Sequence, residues 1–231
     1  MGRVERESGN GRPMTRSRLA AAVDQHAVWE RIAHAFDATR DRPWDVVVEF
    51  VRSLPPAQRV LDAMAGNGRH AAVAEAAGHD VVWSDWSRPA ARIAAGRLRG
   101  SCVVSDARAL PFGPGSFDAV LYVAGLHGIP DPEDRGRSLR ELRRVLRPGG
   151  RALVTVWSRE APRFRDRGTP GEPLDVVVPW RAGGVSGERT YHLHTAASLR
   201  AELEAAGLTV EQLDGVAVAS AEADNWAAVL S

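Results

Sequence analysis

Three acidic residues accompany three successive apolar runs of the sequence, at positions where their side chains could bind a nucleoside. Asp62 lies in the first run, Asp85 ends the second and Asp106 follows the third. In an open α/β sheet, ligands bind beyond the carboxyl ends of parallel strands. Asp85 could accept hydrogens from two ribose hydroxyls, and Asp106 could accept the amino protons of an adenine ring. A single Asp is more often a helix cap or a turn residue, but three at successive strand ends favour a ligand site.

A glycine pair, Gly66 and Gly68, lies in the turn after the first run. Glycine permits a tight turn and a close approach of a ligand to the backbone, and the helix that follows would direct its first amide groups towards that ligand. Ala107, directly after Asp106, belongs to the same predicted cofactor wall. A glycine pair alone is also just a turn, and a nicotinamide dehydrogenase would require the G-x-G-x-x-G spacing, which this turn lacks.

The elements that must position these residues alternate between short β-branched runs and helical stretches, which predicts βαβ units and a doubly wound parallel sheet. The predicted strands are Arg59 to Ala63, Asp80 to Ser84, Cys102 to Ser105, Asp118 to Val123 and Arg151 to Val156. The predicted helices are Arg69 to Ala77, Pro89 to Leu98 and Asp134 to Leu146. A helix at Ala196 to Ala206 and strands at Leu208 to Leu213 and Ala227 to Leu230 follow.

Two helices precede the predicted sheet, and one irregular segment interrupts it. Apolar residues recur at helical spacing from Leu19 to Ala38, and a second helix follows Pro43 and ends at Pro55. Residues 1–18 are polar and contain Gly and Arg, which predicts a disordered or weakly ordered arm. Residues 19–231 then form a single domain, with an inserted loop at about residues 158–190 over the carboxyl edge of the sheet.

Composition narrows the class of protein and of partner. The 231 residues carry a formal net charge of +1, and all 30 basic side chains are Arg. A charge so near neutral does not indicate a nucleic-acid partner, so an RNA footprint would have to be a local patch. Two Arg clusters are candidates, although such clusters are more often solvated surface: Arg3, Arg6, Arg12, Arg16 and Arg18, and then Arg159, Arg163, Arg165 and Arg167. The single Cys102 excludes an intramolecular disulfide, and no run approaches the ~18 apolar residues of a membrane span, so we expect a cytoplasmic protein.

Taken together, these segments resemble the class I S-adenosylmethionine-dependent methyltransferases. The matching segments are Val60-Leu61-Asp62, Gly66-Asn67-Gly68, Asp85, Asp106 with Leu110-Pro111-Phe112, Phe117-Asp118 and Leu146-Arg147-Pro148-Gly149-Gly150. The resemblance implies a Rossmann-like α/β fold with a seven-stranded, mostly parallel sheet, helices on both faces and a terminal antiparallel hairpin. It implies S-adenosyl-L-methionine as the cofactor, bound by Asp62, Gly66, Gly68, Asp85, Asp106 and Ala107. The sequence departs from the family at Met64, where the first glycine of the loop usually stands.

Further segments resemble the family that methylates the carboxymethyl group on the wobble uridine of tRNA. They are Thr39-Arg40-Asp41-Arg42-Pro43-Trp44, Ala124-Gly125-Leu126-His127, Val154-Thr155-Val156-Trp157, Asp175-Val176-Val177-Val178-Pro179-Trp180, Arg189-Thr190-Tyr191-His192-Leu193 and Asp224-Asn225-Trp226. This resemblance implies tRNA as the substrate, with Arg40 and His127 as catalytic residues that hold and orient the acceptor carboxylate. It implies substrate contacts by Trp44, Trp180, Tyr191, His192, Asn225 and Trp226. The sequence departs from the family at Gly128, where a second His is common, and at Ala227, where an aromatic residue is common.

The implied chemistry requires few protein groups. A carboxylate is ionised at neutral pH and needs no general base, so alignment and dehydration would supply most of the acceleration. His192 and His194 would share one face of a strand, but two His without a third ligand predict no metal site. The resemblance also implies a small zinc-binding activator subunit as a partner. Two other interpretations stay open: a methyltransferase of a small carboxylate, phenol or quinone precursor, and a methyltransferase-like fold that binds a partner or RNA without catalysis.

Overall fold

The computed structural model describes residues 12–13 and 24–231. The strands are β1 (Arg12–Pro13), β2 (Arg59–Ala63), β3 (Asp80–Asp85), β4 (Ser101–Val104), β5 (Phe117–Val123), β6 (Leu146–Trp157), β7 (Leu174–Ala182), β8 (Val185–Leu193), β9 (Val210–Val216) and β10 (Asn225–Leu230). The α-helices are α1 (Gln25–Asp37), α2 (Asp45–Ser53), α3 (Ala71–Ala76), α4 (Arg88–Ala95), α5 (Pro132–Val145) and α6 (Ala196–Ala205). A 3₁₀ turn spans Leu126–Gly128.

Seven strands form the main sheet, in the order β4-β3-β2-β5-β6-β10-β9. The β2, β3, β4, β5 and β6 neighbours pair in parallel, and β10 runs antiparallel to both β6 and β9. The central strands are apolar on both faces, because a large buried cluster packs on each side of the sheet. This order confirms the predicted seven-stranded, mostly parallel sheet with a terminal antiparallel hairpin.

Element boundaries follow local capping. Helix α5 begins two residues before its predicted start, since the Asp131 side chain accepts hydrogen bonds from the amides of Glu133 and Asp134 and Pro132 fits the first helical position. Helix α1 begins at Gln25, where the Asp24 side chain accepts from the Ala27 amide. Residues 19–23 of that predicted helix lie outside the described residues.

The prediction of an inserted loop at residues 158–190 needs correction, because much of this segment forms a β-hairpin. Strands β7 and β8 pair antiparallel from Leu174↔Leu193 to Ala182↔Val185. The hairpin turn contains Gly183 and Gly184 at φ 57° and 77°, a backbone that glycine adopts without strain. The many Gly and Pro residues of the segment obscured the alternation of buried Val176, Val178 and Trp180 along β7.

The hairpin and helix α1 form a cap beside the main sheet. Helix α1 packs its buried Val28 and Ile32 against Trp180 of the hairpin. Residues Arg12 and Pro13, from the segment predicted to be a disordered or weakly ordered arm, pair with Val177 and Val176 as a third strand beside the hairpin. The rest of the arm lies outside the described residues. Within the described part of the chain, no helix is long and apolar enough to span a membrane.

Candidate active site

An open cavity of about 2060 Å³ lies beyond the carboxyl ends of β2, β3 and β5. Its core wall includes Met64 and Gly66 after β2, Asp85 at the end of β3, and Ala124 after β5. Its opposite wall comes from α1 and the hairpin. Among the predicted site residues, those that line the cavity are Arg40, Trp44, Gly66, Asp85, Asp106, Ala107, His127, Trp180, Tyr191 and Asn225. The edge of the sheet therefore gathers most of the residues that the sequence predicted for the site.

The loop after β2 takes the tight course that its glycines predicted. Gly66 has φ 57°, and a Cβ added there would meet no heavy atom within 4 Å, so open space adjoins the backbone. Met64 has φ 58°, a left-handed conformation that costs a non-glycine residue on the order of 1 kcal/mol. Met64, which stands where the family usually has a glycine, therefore adopts a backbone conformation that favours glycine, and the loop is strained at this residue.

Asp85 is held in place for hydrogen bonding. One carboxylate oxygen accepts from the Gly66 amide at 2.9 Å and the other from the Ser87 amide at 2.8 Å. Burial raises the pKa of Asp85, and these two amides partly offset that effect. Each oxygen retains a second lone pair for a ribose hydroxyl, so the donor set and the open space at Gly66 fit a bound nucleoside.

Asp106 and Ala107 lie at the adenine end predicted for the cavity. The Arg108 side chain donates to both Asp106 oxygens at 2.9 Å and also reaches Asp134. Burial alone would raise the pKa of Asp106, but hydrogen bonds from Arg108 lower it. The backbone of Ala107 is fixed through its carbonyl, which accepts from Ser138 Oγ at 3.1 Å. An adenine amino group at Asp106 would thus share this carboxylate with Arg108.

Asp62 and Gly68 lie beneath the loop and are not among the residues that line the cavity. Asp62 is fully buried and accepts from the Ala71 amide at the start of α3, and burial raises its pKa to about 7. A Cβ on Gly68 would come within 2.7 Å of Leu98 Cδ1 and 2.9 Å of Ala94 Cβ, so the loop packs closely on α4 only because this residue is glycine. Both residues therefore support the cofactor loop through its backbone.

A hydrogen-bonded clasp joins that loop to the cap. Asn67 Nδ2 donates to Asp37 Oδ1 at 2.8 Å and to the Arg40 carbonyl at 2.6 Å. Arg97 binds the same Asp37 carboxylate through two nitrogens, at 2.7 and 2.9 Å. Burial would raise the pKa of Asp37, but these hydrogen bonds lower it. The clasp places Arg40 beside the loop, with its guanidinium carbon 4.7 Å from the ring centroid of Phe36.

His127 forms the centre of an aromatic stack just beyond β5. Its ring lies 5.0 Å from the Trp157 ring at an interplanar angle of 19°, and 5.1 Å from the Tyr191 ring. Its Nδ1 accepts a hydrogen bond from the Trp157 amide at 3.3 Å. Burial, together with His194, Arg163 and further basic neighbours, lowers the pKa of His127 well below its usual value. The neutral ring must therefore carry its proton on Nε2, where it can only donate.

Two arginines that were not among the predicted site residues adjoin this stack. The Arg163 guanidinium lies 4.0 Å from the Trp157 ring centroid, and Arg189 lies 5.4 Å from that of Tyr191. Arg189 begins the segment that the resemblance quoted for Tyr191 and His192, so the signal was present without a role attached to it. The second Arg cluster is not simply solvated surface either, because Arg159 is buried and donates to the Phe164 carbonyl.

His192 and Trp226 lie away from the cavity wall, beside a buried polar network. His192 Nδ1 pairs with Asp175 at 2.7 Å, and Trp226 Nε1 donates to the His194 carbonyl at 3.1 Å. Glu202 of α6 supplies a third potential metal ligand to the two His, within 4.8 Å of both. The Arg135 guanidinium already binds both oxygens of this carboxylate, however. Burial lowers the pKa of His194, while His194 and Arg135 outweigh burial and lower that of Glu202 to about 2.

Comparison with known proteins agrees with this geometry. Residues 61–154 match the family described as "Methyltransferase domain". A putative methyltransferase of Encephalitozoon cuniculi is 33% identical over 172 residues, 73% of this chain and 79% of that relative. The tRNA (carboxymethyluridine(34)-5-O)-methyltransferase of Schizosaccharomyces pombe is 29% identical over 221 residues, 87% of this chain and 92% of that relative. The corresponding enzyme ALKBH8 of Macaca fascicularis is 38% identical over 135 residues, 58% of this chain but only 20% of that relative, so the chain matches about a fifth of its length.

Solved structures share the fold. The Burkholderia thailandensis 1,6-didemethyltoxoflavin-N1-methyltransferase, solved with bound 1,6-didemethyltoxoflavin and S-adenosylhomocysteine, has a TM-score of 0.68 at 22% identity, over 94% of this chain and 91% of that chain. A putative methyltransferase in complex with the Haloferax volcanii Trm112 methyltransferase activator has a TM-score of 0.68 at 17% identity, over 90% of this chain and 96% of that chain. Sheet order, strand-end residues and sequence relatives agree, and the chain belongs to the class I S-adenosylmethionine-dependent methyltransferases.

Proposed function

We propose that this protein transfers a methyl group from S-adenosylmethionine to the carboxylate of carboxymethyluridine at the wobble position of tRNA. The observation that carries the proposal is the site around His127, where a neutral imidazole, aromatic rings and guanidinium groups adjoin the carboxyl end of the sheet. Aromatic faces suit a pyrimidine ring, and guanidinium groups suit its anionic side chain. The relatives named for this reaction, one of them aligned along nearly its whole length, support the same substrate.

The roles of the residues follow from their geometry. S-adenosylmethionine, when bound, supplies an electrophilic methyl group, which a carboxylate oxygen takes as the C–S bond breaks and its electron pair stays on sulfur. Asp85 and the Gly66 loop would hold the nucleoside part of the cofactor. Arg40 would position the acceptor from the cap, and His127 would donate a hydrogen bond through Nε2. Because the acceptor has no proton to lose, a histidine that only donates is sufficient.

A carboxylate acceptor fits this site better than a phenol. A phenol has a pKa near 10 and needs a base to remove its proton at neutral pH, whereas the Nδ1 of His127 already accepts a hydrogen bond from Trp157. The 1,6-didemethyltoxoflavin-N1-methyltransferase is only 22% identical, so its similarity supports the fold and does not indicate the acceptor of this chain.

The first experiment is transfer of labelled methyl to tRNA that carries carboxymethyluridine, with and without the candidate activator, followed by nucleoside mass analysis. A methyl ester on the wobble uridine establishes the proposal. Measurable cofactor binding without transfer to any tRNA moves the acceptor to a small molecule. Absence of cofactor binding favours a fold that binds a partner or RNA without catalysis.

We also propose that a small zinc-binding activator pairs with strand β4. This strand is one edge of the main sheet, so its outer backbone groups are open to another chain. Val104 in β4 is 49% exposed and is the one exposed large hydrophobic residue in the described part of the chain. An exposed apolar side chain on an open strand edge fits a partner that adds a strand.

Co-purification with the activator tests whether the activator binds the β4 edge. Val104→Asp should abolish complex formation and leave cofactor affinity unchanged. Ala201→Asp, which places the same charge on the exposed face of α6, is the matched control. Full complex formation by the Val104 variant would place the partner elsewhere.

A further inference from the structure

Arg189 stands out among the charged residues of the cap, because it is 1% exposed and surrounded by aromatic rings. Its guanidinium carbon lies 5.0 Å from the ring centroid of Trp180, 5.4 Å from Tyr191, 5.8 Å from Phe36 and 5.9 Å from Trp29. Each ring face attracts the cation. A long and flexible side chain is thus held in one position by α1, β7 and β8 together.

The Arg189 box, defined as this residue with Trp29, Phe36, Trp180 and Tyr191, belongs to the wall of the active-site cavity. Tyr191 connects the Arg189 box to the aromatic stack around His127, because the Tyr191 ring lies 5.1 Å from the His127 ring. Trp180 lies in both the box and the cavity wall, and its Nε1 is buried without a hydrogen-bond partner in the described ranges. The box therefore places a fixed cation and an indole N–H group in the wall of the cavity.

Resting on the proposed function, we infer that Arg189 binds the carboxylate of the acceptor nucleoside and makes the site specific for the acid. A guanidinium forms two parallel hydrogen bonds to a carboxylate. Beside buried aromatic rings this pairing is stronger than at the exposed surface, and the aromatic box fixes the fork before the acceptor arrives. A neutral amide of the same shape would pair with Arg189 through its single oxygen and would direct its NH₂ group at a cation.

Arg189 should act on binding more than on the chemical step. The carboxylate loses its charge as the methyl ester forms, so an ion pair to Arg189 is strongest before the transition state. Removal of the guanidinium should therefore raise KM for the acid by about tenfold or more, with a smaller effect on kcat. Arg40 and His127 would govern the positioning that determines kcat.

The test uses two anticodon stem-loops, one with wobble carboxymethyluridine and one with its neutral amide, carbamoylmethyluridine. Dissociation constants are measured in the presence of S-adenosylhomocysteine for the wild type, for Arg189→Gln and for Arg200→Gln, an exposed control on α6. The wild type and the control should prefer the acid. Arg189→Gln should lose that preference and keep its affinity for S-adenosylhomocysteine. An acid-to-amide ratio equal to that of the wild type would overturn the inference.

A second variant covers failure of the first to fold. Arg189→Lys keeps the charge but lacks the planar fork, so its preference for the acid should weaken by several-fold, and an unchanged ratio would also overturn the inference. A different result would refute the proposed function itself: a wild-type enzyme that neither binds nor methylates the acid stem-loop. An enzyme that methylates the acid while Arg189→Gln still discriminates refutes only the role of Arg189.

Discussion

At the level of single residues, Asp85 and Arg40 should separate cofactor binding from methyl transfer. Asp85 is buried at the cofactor end, whereas Arg40 follows helix α1 and lies beside Phe36 of the cap. Asp85→Ala should lower affinity for S-adenosylmethionine by about tenfold to a hundredfold, the loss expected when hydrogen bonds to a charged acceptor are removed. Arg40→Ala should keep that affinity and abolish transfer. Calorimetry and a labelled-methyl assay measure the two effects, and equal loss of cofactor affinity in both variants would contradict this division.

Asp62 gives the protein a pH-dependent stability. Burial raises its pKa to about 7, against about 4 in an unfolded chain, so between these values only the folded protein keeps the proton. The free energy of unfolding therefore falls as pH rises, and above pH 7 it carries the full cost of ionising the buried Asp62 carboxyl group. Asp62→Asn removes the penalty, so its free energy of unfolding relative to the wild type should rise by about 2–3 kcal/mol between pH 5 and pH 8.

Denaturant unfolding at the two pH values checks this expectation. Asp80→Asn replaces an exposed carboxylate at the start of β3 and serves as the control. A difference between Asp62→Asn and the wild type that does not change with pH would show that Asp62 is ionised to the same extent in the folded and unfolded protein.

At the level of elements, Arg135 fastens helix α5 to helix α6 and to the turn that carries His127. Its buried guanidinium binds Glu202 and also donates to the carbonyls of Ile129 and Pro130. Arg135→Met should cost about 3 kcal/mol, because it leaves a partly buried carboxylate without its cation. Arg137→Gln removes an exposed pair with Glu133 from the same helix and should cost less than about 1 kcal/mol. Similar unfolding free energies for the two variants would contradict the anchoring role.

At the level of the whole molecule, the clasp of Asp37, Asn67 and Arg97 connects the cap to the methyltransferase core. Asp37→Asn weakens a partly exposed ion pair worth about 1 kcal/mol, so amide hydrogen exchange along α1 should quicken by about fivefold. The kcat for methyl transfer should fall as well, because Arg40 is positioned through the same clasp. Glu204→Gln, which breaks an exposed pair within α6, is the control. Unchanged exchange in α1 would show that packing alone holds the cap.

The strand ends could be predicted from the sequence because their signals are local. Apolar runs and the acidic residues beside them identify parallel strands and their ligand edge, and the structure places Asp85 and Asp106 on one cavity. Met64 was visible as a departure, but its left-handed φ of 58° appears only in the folded loop. The β-hairpin was missed because its alternating residues lie among Gly, Pro and Arg, which dominate a local reading of residues 158–190.

The sequence by itself determined the fold class and the order of the main-sheet elements, since hydrophobic period and turn residues act over a few neighbouring positions, and its resemblance to a family implied the cofactor. Only the tertiary structure decided which side chains share the acceptor side of the site. Arg189 meets Trp29 and Phe36 across more than a hundred and fifty residues of chain, and Glu202 reaches Arg135 across 67. Contacts of that separation depend on how whole elements pack, and local residue patterns carry no record of them.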